Sequence, residues 1–105
     1  MWTARNVAAN QGWVLRYLST HPCVDCGLAD VRVLEFDHVA GKDAGVSALI
    51  RATTVAKLAA EVARCDVVCA NCHRVRTYVR AGSYRQLAWL ALQSGREAPW
   101  PGRDH

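Results

Sequence analysis

Apolar positions along this chain follow helical and strand rhythms, broken where glycine and proline fall. Val7, Val14, Leu15 and Leu18, with Trp13 and Tyr17 beside them, mark one face of an amphipathic helix over residues 3–19. Thr3 can cap its start, and Pro22 ends it by disfavouring helical backbone at His21. "CVDCG" (23–27) then makes a tight turn in which Gly27 is free to adopt positive φ. "RVLEFDH" (32–38) has strand chemistry, with Leu34 and Phe36 sharing a face. Residues 39–47, "VAGKDAGVS", are glycine-punctuated and read as a loop or hairpin turn. Val55, Leu58, Ala59 and Val62 return to helical spacing, so a second helix is expected over 53–65, capped by Thr53 or Thr54 and carrying Cys65. The stretch 66–80 begins extended and turns helical after Cys69. Ala81-Gly82-Ser83 breaks it, and 83–95 forms a last helix with Leu87, Leu90 and Ala91 inward. Residues 96–105 carry two prolines and no periodicity, as a flexible tail does.

The chain has 105 residues, enough for one small domain, expected over 1–95. A core this small often needs a metal or disulfide staple. The basic excess is almost all arginine, eleven Arg against two Lys at a net charge of +4. Arginine's planar fork suits phosphate, although a solvated basic face has the same composition. Four zinc-bound thiolates would lower the net charge to roughly +2, so where the arginines lie matters more than their number. Arg5, Asn6, Asn10 and Gln11 interrupt any secretory apolar run, and no stretch approaches a membrane span. Five cysteines without an export signal disfavour a disulfide framework and suggest a cytoplasmic protein with metal-bound or reduced thiols.

Cys23-x2-Cys26 and Cys69-x2-Cys72 are two knuckles separated by 42 residues. A pair of CxxC knuckles can present four thiolates to one tetrahedral ion. Structural zinc is the expected occupant, with mononuclear iron the chemical competitor. Neither pair sits in a βαβ pattern, which disfavours a thioredoxin-type redox site. Cys65 lies outside both knuckles and reads as a packed free thiol.

The insertion between the knuckles carries "EFDHV", with Asp37 and His38 adjacent at a strand end. A regular strand sends neighbours to opposite faces, so both can serve one site only if the chain bends there. Alone, such a pair is more often a surface turn than a site. The knuckles change its weight by tying the start of the third helix to the root of the strand. If Cys72 faces the ion, the adjacent His73 points about 100° away, toward the hairpin that carries Asp37 and His38. Arg76 and Arg80 follow His73 at i+3 and i+7 on the same helix. A carboxylate and an imidazole on one cation, flanked by guanidiniums, suit a phosphodiester.

C-x2-C, a strand ending in Asp-His, then C-x2-C-H with basic residues and Thr77, resembles the HNH endonuclease family from Cys23 to Thr77. The resemblance implies an α+β fold: a ββα-metal (His-Me finger) core over 23–80, stapled by a four-cysteine zinc site and flanked by N- and C-terminal helices. It implies His38 as the base that deprotonates water. Asp37 and His73 would hold one divalent ion, Mg²⁺ or Mn²⁺, with Ni²⁺ or Zn²⁺ also used in the family. Products would carry a 5′ phosphate and a 3′ hydroxyl. The expected partner is DNA, double-stranded, contacted by Arg76, Arg80, Arg74 and Lys42. The family's middle asparagine, which helps to hold the base, is replaced by Arg64. Asp66 or backbone groups are alternative orienting groups, and Asn71 is a poorer one on spacing.

Two other readings compete. One is a non-catalytic zinc-knuckle module that binds nucleic acid through the arginine-bearing helix. The other is a zinc hydrolase or deaminase acting on a small molecule or base; the chain lacks the deaminase order H-x-E…P-C-x-x-C even though Pro22 precedes Cys23.

Overall fold

A computed structural model describes residues 2–39 and 45–95. The helix α1 spans Ala4–Ser19 and opens on a capping box. Thr3 Oγ1 accepts from the Asn6 backbone N–H, while Asn6 Oδ1 accepts from the Thr3 N–H. A 3₁₀ turn, Val31–Val33, leads into β1 (Leu34–His38). Two helices follow, α2 (Val46–Ile50) and α3 (Val55–Val62), the second capped by the Thr54 side chain. Next come β2 (Cys65–Cys69), α4 (Ala70–Ala81) and α5 (Tyr84–Gln93). The fold class is therefore small α+β, with five helices and one two-stranded antiparallel sheet among the described residues. No helix among them is long and apolar enough to cross a membrane. The chain divides into two compact units, Met1–Cys72 and His73–His105.

In the first unit, β1 and β2 pair from Leu34 opposite Cys69 to His38 opposite Cys65. The core joins α1, through Val14 and Leu18, to Leu34, Val46, Leu58, Val62, Val67 and Val68, and includes the thiols of Cys23 and Cys69. Tyr17 stacks between Trp13 and His21, with ring centroids at 5.3 and 3.8 Å, and leans on Phe36 at 6.1 Å. Asn10 is the exception to an apolar interior. It is 1% exposed, and its Nδ2 donates to the carbonyls of Ile50 and Thr53 at 2.9 and 2.8 Å. Those carbonyls belong to the end of α2 and the turn after it, where no helical partner is available.

The second unit continues α4 to Ala81 and closes it on Gly82, whose φ of +62° is the left-handed conformation that glycine tolerates. The Ser83 N–H returns to the Tyr78 carbonyl, and the Ser83 side chain caps α5.

Four expectations change. Residues 63–65 leave the helix: α3 stops at Val62, and Cys65 opens β2 because its backbone joins the ladder opposite His38. Residues 46–50 form a short helix within and beyond the expected loop. Leu87 and Leu90 are half exposed in α5, whereas Ala91 is buried as expected. The chain stays regular through His38 and bends only at Val39, so the condition for Asp37 and His38 to share one site, a bend between them, is not met within the strand. Residues 40–44, with Lys42, and the expected tail at 96–105 lie outside the described residues.

Candidate metal centre and active-site residues

The first knuckle is built by local hydrogen bonds. The Gly27 N–H returns to the Cys23 carbonyl at 2.8 Å, and the Cys23 N–H reaches the Leu28 carbonyl at 2.9 Å. Closing this turn requires Gly27 at φ +82°, a region that a side chain would strain. The Val24 N–H then donates to the Val67 carbonyl, fastening the knuckle to β2. The second knuckle lies where β2 becomes α4, so one of its thiols ends a strand and the other lies in the first turn of a helix. The Cys72 N–H donates to Cys69 Sγ at 3.4 Å.

These elements bring Cys23, Cys26, Cys69 and Cys72 together, all four sulfurs within 4.8 Å of one another. Four cysteines so placed could hold a metal ion such as zinc. The donor set fits that ion: sulfurs at about 2.3 Å from a tetrahedral centre lie about 3.8 Å apart. Cys26 Sγ and Cys69 Sγ are 3.8 Å apart, far beyond a disulfide bond. Cys23 and Cys69 are buried, Cys72 is half-buried and Cys26 is exposed. Hence the ion would sit at the edge of the core with one side toward solvent.

The thiols do not share protons evenly. Burial pushes the Cys23 thiol up, but backbone N–H groups of Cys69, Cys26 and Asp25 outweigh it and bring the pKa down to about 6. At Cys26 the Leu28 backbone N–H pulls down, yet the Cys23 side chain and burial together leave the thiol raised. Cys72 is driven up by its contact with Cys69, by burial and by Cys23 and Cys26. One thiolate thus suppresses the next, and a divalent cation is the natural remedy for such crowding.

A second constellation gathers at the far end of the strand pair. Asp37 stands opposite Asp66 and His38 opposite Cys65, so the two pairs occupy opposite sheet faces. Asp37 is 3% exposed. His38 Nε2 lies 2.8 Å from Glu61 Oε1, with side-chain exposures of 12% and 9%. Arg64 Nη1 is 3.6 Å from the other Glu61 oxygen, and the Val39 N–H donates to the Arg64 carbonyl. Burial, then the Glu61 and Asp37 carboxylates, push the neighbouring Cys65 thiol up; its sulfur donates to the Glu61 carbonyl at 3.5 Å.

Glu61 is the residue that sequence reasoning missed. Neither residue named as an orienting group takes that place: Asp66 lies on the sheet face away from His38, and Asn71 is exposed on α4. A signal was present, because Glu61 follows Leu58 by three residues and precedes Val62 on the buried side of α3. A carboxylate on the inner face of a helix needs a partner, and the sequence does not say which.

The remaining candidates lie on α4 in the second unit. His73 is half-buried, and its carbonyl accepts from Thr77 Oγ1 at 3.1 Å. Arg76 is half-buried, while Arg74 and Arg80 are exposed. Comparison with protein families, with curated proteins and with solved structures finds no match. The functional reading therefore rests on the residues themselves.

Proposed function

We propose that this chain is a zinc-stapled, metal-dependent endonuclease of HNH type that hydrolyses DNA phosphodiester bonds. The observation that carries this reading is the 2.8 Å contact between His38 Nε2 and the buried Glu61 carboxylate. An ionised carboxylate only accepts, so a neutral His38 facing one would carry its proton on Nε2 and leave the Nδ1 lone pair to act as base. Glu61 also fixes the ring plane, which a proton-transfer group requires. His38 would take the proton of the attacking water.

Zinc on Cys23, Cys26, Cys69 and Cys72 would join the strand pair to the start of α4. Asp37 offers a buried carboxylate oxygen, the donor type that Mg²⁺ and Mn²⁺ select, and would help to hold the catalytic ion. Bound there, such an ion supplies charge stabilisation to the scissile phosphate. Arg76 and Arg80 supply guanidiniums for the DNA backbone, and Arg74 adds a third.

The test is plasmid nicking by zinc-loaded protein. Cleavage is expected with Mg²⁺ or Mn²⁺ and should cease with a chelator. His38→Ala should lose about 10²–10⁴-fold in rate with zinc content and circular dichroism unchanged. Cleavage that ignores divalent ions, or a fully active His38→Ala protein, refutes the proposal.

A specific observation favours a second reading, the zinc-knuckle module that binds nucleic acid without cutting it. The regular register sends Asp37 and His38 to opposite faces of β1. That module predicts salt-sensitive binding that weakens in Arg76→Ala and Arg80→Ala and is indifferent to His38 and Asp37.

A further inference from the structure

The second unit has a chemistry of its own. Its described residues, 73–95, include Arg74, Arg76, Arg80 and Arg85 and no Asp or Glu. At the corner between α4 and α5 a cavity of about 370 Å³ is lined by Val75, Tyr78, Arg85, Gln86 and Trp89. That volume lies at the small end of ligand sites, roughly 300–1,000 Å³.

The lining is an unusual place for a large aromatic. Trp89 is 56% exposed, and neither α4 nor α5 buries its indole as a core residue. Tyr78 is the hub of the polar side. Its hydroxyl receives Arg74 Nη1 at 3.5 Å and Arg85 Nη1 at 3.4 Å, while Arg85 Nε reaches the Tyr84 hydroxyl at 3.3 Å. Arg85 also lies 5.9 Å from the centroids of both tyrosine rings. Contact with Arg74 and the charge of Arg85 hold the Tyr78 phenol below its usual value. These hydrogen bonds of the two guanidiniums thus go to phenol hydroxyls, not to carboxylates. Guanidiniums held this way keep their full charge for an anion.

A flat indole, an amide edge at Gln86 and the Arg85 cation line one small cavity, with Arg74 held beside it on the Tyr78 hydroxyl, and together they match the parts of a nucleotide: a π-face, a hydrogen-bonding base edge and a phosphate. We infer that this cavity seats one unpaired nucleotide of a single-stranded nucleic acid, its base on Trp89 and its phosphate on Arg74 and Arg85. A base inside a duplex has both faces stacked, so the site selects single strands, frayed ends or bulges. The inference deepens the nucleic-acid reading above and requires no cleavage.

The test is fluorescence anisotropy of the full-length, zinc-loaded chain with a labelled oligothymidylate, without Mg²⁺ or Mn²⁺. Stacking on one base corresponds to a loss of about 5- to 150-fold in affinity for Trp89→Ala, with Trp89→Phe retaining most binding. Arg85→Ala should weaken binding and flatten its salt dependence. An oligonucleotide with abasic positions should bind the parent more weakly yet bind Trp89→Ala no worse than oligothymidylate does. Equal affinity of parent and Trp89→Ala overturns the inference. So does size-exclusion showing that Trp89→Ala merely dissociates an oligomer, which would make the patch a protein interface. His38→Ala separates the two proposals. Loss of cleavage in His38→Ala with Trp89→Ala binding intact refutes only the nucleotide site. Trp89-dependent binding by a chain that never cleaves refutes only the nuclease.

Discussion

Stripping the metal from the four-cysteine cluster is expected to lower the unfolding midpoint of this protein by roughly 15–30 °C. The magnitude follows from topology. The cluster joins Cys23 and Cys26 to Cys69 and Cys72 across an intervening segment of 42 residues. Closing a loop of that size withdraws about 4 kcal/mol of conformational entropy from the unfolded chain. Small domains hold only about 5–15 kcal/mol in total, and each kcal/mol moves the midpoint by roughly 4–8 °C. The strand pair already closes part of the same loop, and the unfolded thiols retain some metal affinity, so the figure is an upper range. Cys23 and Cys69 also belong to the hydrophobic core, so releasing the ion loosens packing as well as a tether. The assay is thermal circular dichroism of protein with verified zinc content, with and without a strong chelator. Cys26→Ser should behave like the chelated parent, because it removes an exposed ligand without opening a core cavity. Cys65→Ser should keep one zinc per chain and shift the midpoint little, since its sulfur lies outside the cluster. Metal-free protein that melts with the loaded form, or Cys65→Ser that loses zinc, would refute the reasoning.

Three further outcomes follow from the same geometry. Cys26 and Cys72 have raised thiol pKa values and hold protons near neutrality, whereas Cys23, at about 6, is already largely a thiolate. Zinc must displace those protons, so its apparent affinity should rise with pH around neutrality in chelator competition; a flat profile contradicts the assignment. Asn10→Ala should destabilise by about 1–2 kcal/mol in urea titration, because it strands the half-buried Ile50 and Thr53 carbonyls; a change under about 0.5 kcal/mol means that water replaces the amide. Glu61→Ala should lower plasmid cleavage by about 10–100-fold and Glu61→Gln by less, measured on variants that retain zinc; unchanged cleavage in Glu61→Ala makes the carboxylate a purely structural partner of His38.

Features whose physics is local were legible in the sequence. The extent of α1 follows from its apolar spacing and from Thr3, whose capping box is closed by Asn6 three residues on. The CxxC spacings place two thiols in one turn regardless of context, and Gly27 closes the first of those turns. The alternation of Leu34 and Phe36 marks β1, and Gly82 marks the end of α4. What depends on partners distant in sequence was not legible. Cys65 has a helical neighbourhood behind it, but pairing with His38 draws its backbone into a strand, since cross-strand hydrogen bonds outweigh a weak helical preference. Asn10 looked like a polar interruption, and only the loop after α2, about 40 residues away, makes it an interior hydrogen-bond donor. Glu61 reads as one charge on an apolar helix until the fold sets His38 2.8 Å from it across 23 residues of chain. Spacing along the chain determines which side chains share a turn or a face. Which faces then meet depends on burying the whole core at once, and that competition is settled only in three dimensions.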